Sequence, residues 1–172
     1  VTIQYVMSDR ADLDTAVAAW IADEAAATAT YGDINTWDVS AITDFSSLFR
    51  DKTTFNSDIS SWDVSSGTNF NEMFYKASSF DQDISNWDVR NTADFTNMFL
   101  EASSMNSNQG VSSTPNVVNY FGSAFFSDAI ELKTAVDSWM DNRESAKNVY
   151  GDINTWDVSR IKNFSYVFND PY

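Results

Sequence analysis

Apolar positions recur along this chain at a fixed step of 25 residues. Trp37, Trp62 and Trp87 keep that step, and each opens a Trp-Asp-Val triplet. So do Ile34/Ile59/Ile84, Phe45/Phe70/Phe95, Phe49/Phe74/Phe99, Phe55/Phe80/Met105 and Leu48/Met73/Met98. Columns held in register over three units mark a repeat architecture, in which a unit buries its apolar face only against its neighbours. Two patterns alternate within each unit. Ile-x-x-Trp-Asp-Val is rich in β-formers and apolar at alternate positions, which predicts a short extended segment. Residues 43–49 then place Phe45, Leu48 and Phe49 at i, i+3 and i+4, one face of a short helix, with Ser40, Ser65 or Thr43 as N-caps. Asn and Asp in Phe55-Asn56-Ser57-Asp58-Ile59 predict a turn back into the next segment. The expected fold class is an α/β repeat solenoid, with one extended segment and one short helix per 25-residue coil.

A longer duplication lies above this repeat. The decapeptide at residues 31–40 returns unchanged at 150–159. At the same offset Leu13 matches Leu132, Val17 matches Val136 and Trp20 matches Trp139, while Ile42, Phe45 and Phe49 match Ile161, Phe164 and Phe168. Residues 9–29 and 128–148 carry an apolar stripe at helical spacing, so each is expected to be a helical cap over the first coil that follows it. The predicted organisation is an N-terminal segment and cap (1–30), three coils (31–108), a Gly-, Pro- and Ser-bearing linker (109–122), a second cap (123–149) and the start of a second array (150–172). Val1 is expected to be a processed or truncated end, and the last coil stops before its Phe-Asn-x-Asp turn.

Composition narrows the chemistry. The 172 residues include no Cys and no His, which removes thiolate nucleophiles, imidazole bases and Cys/His metal sites. No run approaches the roughly 18 apolar residues of a membrane span. Ten basic against 25 acidic residues give a net charge of −15, a surface that repels nucleic acid and anionic membranes. Ser has no His to activate it, no Gly-x-Ser-x-Gly elbow or phosphate-cradling loop is present, and the carboxylates repeat by coil instead of forming a set-apart pair. The chain is expected not to be an enzyme and to need no cofactor.

The unit Phe55-Asn56-Ser57-Asp58-Ile59-Ser60-Ser61-Trp62-Asp63-Val64-Ser65, echoed from Phe80 to Val89 and in part at residues 152–159, resembles the 25-residue repeat of BspA-like proteins and mycoplasma-type surface lipoproteins. The resemblance covers a little over half the chain. It implies an exported, leucine-rich-repeat-like solenoid used in adhesion or protein binding, with no catalytic residue. Phe45 stands where the family's helix entry usually carries Met, which makes the core more aromatic.

Three groups of residues are candidates for function. Asp58 and Asp83, with Asn56 and Asp81 beside them, form oxygen-rich columns about 5 Å apart by strand spacing, the donor type Ca²⁺ takes. The competing reading is that they close Asx-turns on their own backbone. Asp38, Asp63, Asp88 and Asp157 follow the Trp column and are expected to point outward, as a face for a basic partner or a solvated edge. Tyr120, Phe121, Phe125 and Phe126 lie where the repeat is broken, either as a recognition loop or as a seal over the third coil. The function expected is a non-catalytic protein–protein interaction or scaffold module. It would serve as a peripheral lumenal subunit of a large membrane-associated assembly, a thylakoid lumen among the compartments. A cell-surface adhesin or glycan-binding module, and a Ca²⁺-stabilised structural repeat, are the alternatives.

Overall fold

The computed structural model describes residues 4–90, 93–115, 120–121, 126, 128–165 and 167–168. The two helix pairs sit where the sequence has no 25-residue repeat. Helix α1 (Arg10–Ala22) starts on Asp9, whose carboxylate accepts the Asp12 N–H at 2.9 Å. Helix α2 (Glu24–Tyr31) follows at once, because Asp23 is extended and its carboxylate accepts the Ala26 N–H. Gly32 ends α2 at φ 78°, a left-handed value that side-chain-bearing residues adopt only at a cost. A short α3 (Ser103–Asn108) closes the third repeat. The second helix pair, α4 (Ala129–Asp141) and α5 (Arg143–Tyr150), copies the first, with Asp128 and Asn142 as caps and Gly151 at φ 77°.

The expected α/β repeat solenoid is corrected by this structure. Among the described residues no β-strand forms; the pairings Val6 with Asp38, Asp44 with Asn69 and Asn69 with Asp94 are isolated bridges. The short helix expected at residues 43–49 is absent as well, and turns take its place. Ser40 and Ser65, expected as its caps, instead donate their hydroxyls to Asp38 and Asp63 at 2.6 Å.

The physical reason lies in where the amides point. In residues 45–52, alternate N–H groups serve two directions. The amides of Phe45, Ser47, Phe49 and Asp51 donate to the carbonyls of Asn69, Asn71, Met73 and Tyr75 in the next repeat, at 2.7–2.9 Å. Those of Leu48, Arg50 and Lys52 donate three residues back, to Phe45, Ser47 and Phe49. The second interface repeats the pattern, with Phe70, Glu72, Phe74 and Lys76 donating to Asp94, Thr96, Met98 and Leu100. Such alternation needs left-handed residues at intervals, and they fall in two columns: Ser47, Glu72 and Asn97, then Asp51, Lys76 and Glu101, at φ 54–61°. Each of these costs about 1–2 kcal/mol in an L-residue. The chain is thereby too tightly turned for a strand and too irregular for a helix.

Aromatic columns offset that cost. Phe45 stacks on Phe70 and Phe70 on Phe95, at 5.2 and 5.3 Å; Phe49, Phe74 and Phe99 do the same at 5.4 and 5.5 Å. Trp37, Trp62 and Trp87 form a third column at 6.4 and 6.5 Å. The Trp62 and Trp87 indole N–H groups donate back one repeat, to the carbonyls of Ile34 and Ile59. All these rings are buried. Each contact adds about 0.5–1.5 kcal/mol beyond the burial of its area. Gly67 makes room for one column, since a Cβ there would lie 2.4 Å from Phe70 Cζ.

A stack of this kind has two unlike ends. Along residues 44–51 and their equivalents the leading end turns out carbonyls and the trailing end N–H groups. Asp44 and Ser46 occupy the positions of Asn69 and Asn71 but have no repeat before them. The Arg10 guanidinium takes their carbonyls instead, at 2.8 and 2.7 Å. At the trailing end, Phe99 N–H donates to the Ser113 carbonyl and Asn97 N–H to Thr114 Oγ1, both at 2.9 Å.

Two outcomes follow for stability. Arg10→Ala removes two charge-assisted bonds from a partly exposed edge and should cost about 1–2 kcal/mol in urea denaturation. Gly67→Ala should cost about 1–3 kcal/mol by overpacking, because Phe70 is fixed between two stacked rings. Unchanged midpoints would refute the two accounts separately.

Candidate interaction surface

The carboxylate and amide columns are spent on local structure. Asp58 Oδ1 accepts the Ser60 N–H at 2.9 Å and its Oδ2 accepts Asn35 Nδ2 at 2.9 Å. Asp83 accepts both the N–H and the hydroxyl of Ser85, at 3.0 and 2.6 Å. Asn56 Oδ1 accepts the Asp81 N–H at 2.8 Å, while Asp81 accepts from the amides of Asn108 and Gln109. Each of the four side chains proposed for Ca²⁺ thus accepts from a protein donor. Among the described residues no cluster of three acidic side chains is close enough to hold a metal ion.

The outward acidic column divides into two kinds. Asp38, Asp63 and Asp157 each accept the N–H two residues on, from Ser40, Ser65 and Ser159. Asp88 has Arg90 at that place, and Arg90 Nε donates to the Ser65 carbonyl instead. Asp88 is met by Arg160, which directly follows the second decapeptide. Burial pushes the Asp88 carboxyl up; Arg160 opposes this, and Asp63 and Asp157 reinforce it. The Ser40 hydroxyl and amide hold Asp38 below the usual carboxylate range, the Ser85 hydroxyl and amide do so for Asp83, and the Ser159 amide and hydroxyl for Asp157.

Tyr120 and Phe121 face inward. Phe121 packs on Phe95 at 5.1 Å and is buried; Tyr120 meets Phe99 edge-on at 5.8 Å. The Tyr120 hydroxyl accepts the Ile84 N–H at 3.3 Å, and burial raises its pKa to about 12. Phe126 is buried in the second core with Leu132, Ala135, Ile161 and Val167, and its N–H donates to the Asp157 carbonyl. Met7 does the same to Asp38 in the first half. Phe125 lies outside the described residues.

The exposed apolar surface is elsewhere. A groove of about 700 Å³ runs between α4 and the repeat that starts at Ile153. Trp139, Val136, Trp156, Val158, Phe164 and Phe168 are among its walls. Phe168 is 76% exposed and Phe164 42%, whereas their counterparts Phe49 and Phe45 are both at 0%. The turn beneath them is the same, since Val167 N–H donates to the Phe164 carbonyl as Leu48 N–H does to Phe45. Among the described residues the amides of Phe164 and Phe168 have no acceptor, and the buried Trp156 Nε1 has none either. Covering a Phe side chain fully is worth about 1.5–3 kcal/mol. Sequence reasoning placed Phe164 on a core column, and here it is part of an exposed one.

The titration of the acidic columns has a definite sign. The lowered carboxyls of Asp38, Asp83 and Asp157 stabilise the fold above the ordinary carboxylate pKa of about 4, and that contribution is lost as pH falls through their lowered values. Asp88, raised, contributes with the opposite sign, favouring the fold at acid pH. Asp83→Asn should therefore show a shallower loss of urea midpoint between about pH 4 and pH 2 than the parent chain. A parallel decline would overturn the role given to the Ser85 bonds.

Comparison with known proteins adds one finding. No curated protein and no solved structure matches the chain. The family described as a Mycoplasma protein of unknown function, DUF285, matches residues 11–139 and 140–171, and the chain belongs to that family.

Proposed function

We propose that this protein is a non-catalytic interaction module that binds another protein. The observation that carries this reading is the repeat stack itself, whose aromatic columns are buried as structure and whose acidic side chains are engaged locally, so that the chain presents surface and no set-apart reactive group. Phe121 is buried and Tyr120 partly buried against the first core, so these two rings lend no support to glycan stacking. The absence of His and Cys and the local engagement of the acidic side chains favour binding over chemistry. No helix among the described residues is long and apolar enough to cross a membrane. An exported setting, at a cell surface or in an organelle lumen, and a closer kinship with BspA-like proteins belong to the same proposal. In it the module is a peripheral subunit of a larger assembly.

The test measures native mass in a mild detergent extract of cells that carry the protein. It should migrate in a larger complex that survives moderate salt. A protein that runs as a small free species sinks this reading.

A further inference from the structure

We infer that the Arg160–Asp88 ion pair is a latch that sets the position of the second repeat array against the first, and that salt releases it. Among the described residues each array has its own hydrophobic core, one that includes Phe121 and one gathered around Phe126, and the two clusters do not merge. Arg160 reaches across: its guanidinium donates to Asp88, 72 residues earlier in the chain. Two departures from the repeat pattern meet in this contact. After Trp-Asp-Val the other copies carry Ser40, Ser65 and Ser159, and each of these binds the Asp two residues before it. Repeat 3 has Arg90 there, its Nε is engaged on the Ser65 carbonyl within the first array, and Asp88 is left for a partner from elsewhere. That partner stands at a position that is Ala41 in the first copy, Ser66 in the second and Asn91 in the third. Only the copy that begins the second array has a cation at this place, and its cation meets the one Asp of the column that has lost its Ser.

The charges around the contact explain why one guanidinium matters. Asp63 and Asp157 are the other carboxylates that act on Asp88, one from each array, and Arg160 is the cation that opposes them. Arg160 acts on Asp157 as well. Beside the pair lies a polar cleft of about 470 Å³, bounded by Ser85, Asn86, Asp88 and Tyr120 on one side and by Asp157 on the other. Without the guanidinium, carboxylates of two arrays would face one another across water, and like charges drive them apart. The side chains of the pair remain 45% and 42% exposed, so counterions reach them. An ion pair this open contributes little to the stability of a fold. It acts instead on the relative position of two bodies whose cores are separate, where a small free-energy difference shifts the populations.

The chain has no Cys, so Thr54→Cys and Ser145→Cys, both at exposed positions, give one spin-label site on each half. Pulsed dipolar spectroscopy then reads the distance between them. A single narrow distribution is expected at low salt. In about 1 M salt, where the screening length falls to about 3 Å, it should become at least about twofold broader. Arg160→Ser should give the broad distribution already at low salt and lose the response to salt, with the urea midpoint unchanged. The reversed pair, Asp88→Arg together with Arg160→Asp, should narrow the distribution again and restore the salt response. A parent distribution that is broad at low salt overturns the latch, and so does one that stays narrow in high salt or in Arg160→Ser. A reversed pair that stays broad also overturns it, because the two side chains would then not be acting on each other.

Discussion

Everything in this molecule depends on the axial hydrogen bond between one repeat and the next. Four amides in each of the first two repeats donate to the repeat that follows, others turn back locally, and those of Thr68 and Asp94 donate to the repeat before. That division sets the direction of the stack, gives its two ends opposite hydrogen-bonding character, and forces the left-handed residues at Ser47, Asp51 and their counterparts. The rings come second. Phe and Trp columns sit at about the spacing the axial bonds impose, and their burial repays the strained backbone.

From this constraint follows a rule about ends. An unpaired carbonyl edge must find donors and an unpaired amide edge must find acceptors, or each is left to water. The first half meets both demands within its own sequence, with Arg10 at one edge and the oxygens of Ser113 and Thr114 at the other. The second half repeats the decapeptide and the helix pair, but Ala129 stands where Arg10 stood. Its trailing edge keeps Phe164 and Phe168 in the open. The two halves share nearly all their local structure and differ, among the described residues, in what lies at the edge.

The spacing of Trp, Phe and Ile was legible because a fixed period in large residues has one cheap explanation, a stack in which like meets like. Rings 25 residues apart in sequence do lie against one another. The path of the backbone between them was not legible. Phe45, Leu48 and Phe49 satisfy a helical spacing, but a turn with Leu48 N–H on the Phe45 carbonyl brings the same three side chains to one side. The left-handed positions gave no warning, since Ser47, Glu72, Asp51, Lys76 and Glu101 carry no glycine signature. Asp38 and Asp63 read as an outward face, and only coordinates reveal that Ser40 and Ser65 hold them.

Burial, unlike spacing, is a property of neighbours. Phe49 and Phe168 occupy the same place in the same local sequence, and one is wholly buried while the other is mostly exposed. No pattern within the repeat distinguishes them. The distinction comes from what stands above: Phe55 and Phe74 pack over Phe49, and no described residue packs over Phe168 in that way. A column of identical positions therefore behaves as core or as exposed surface according to what packs over it, and the repeat sequence alone carries no record of that difference.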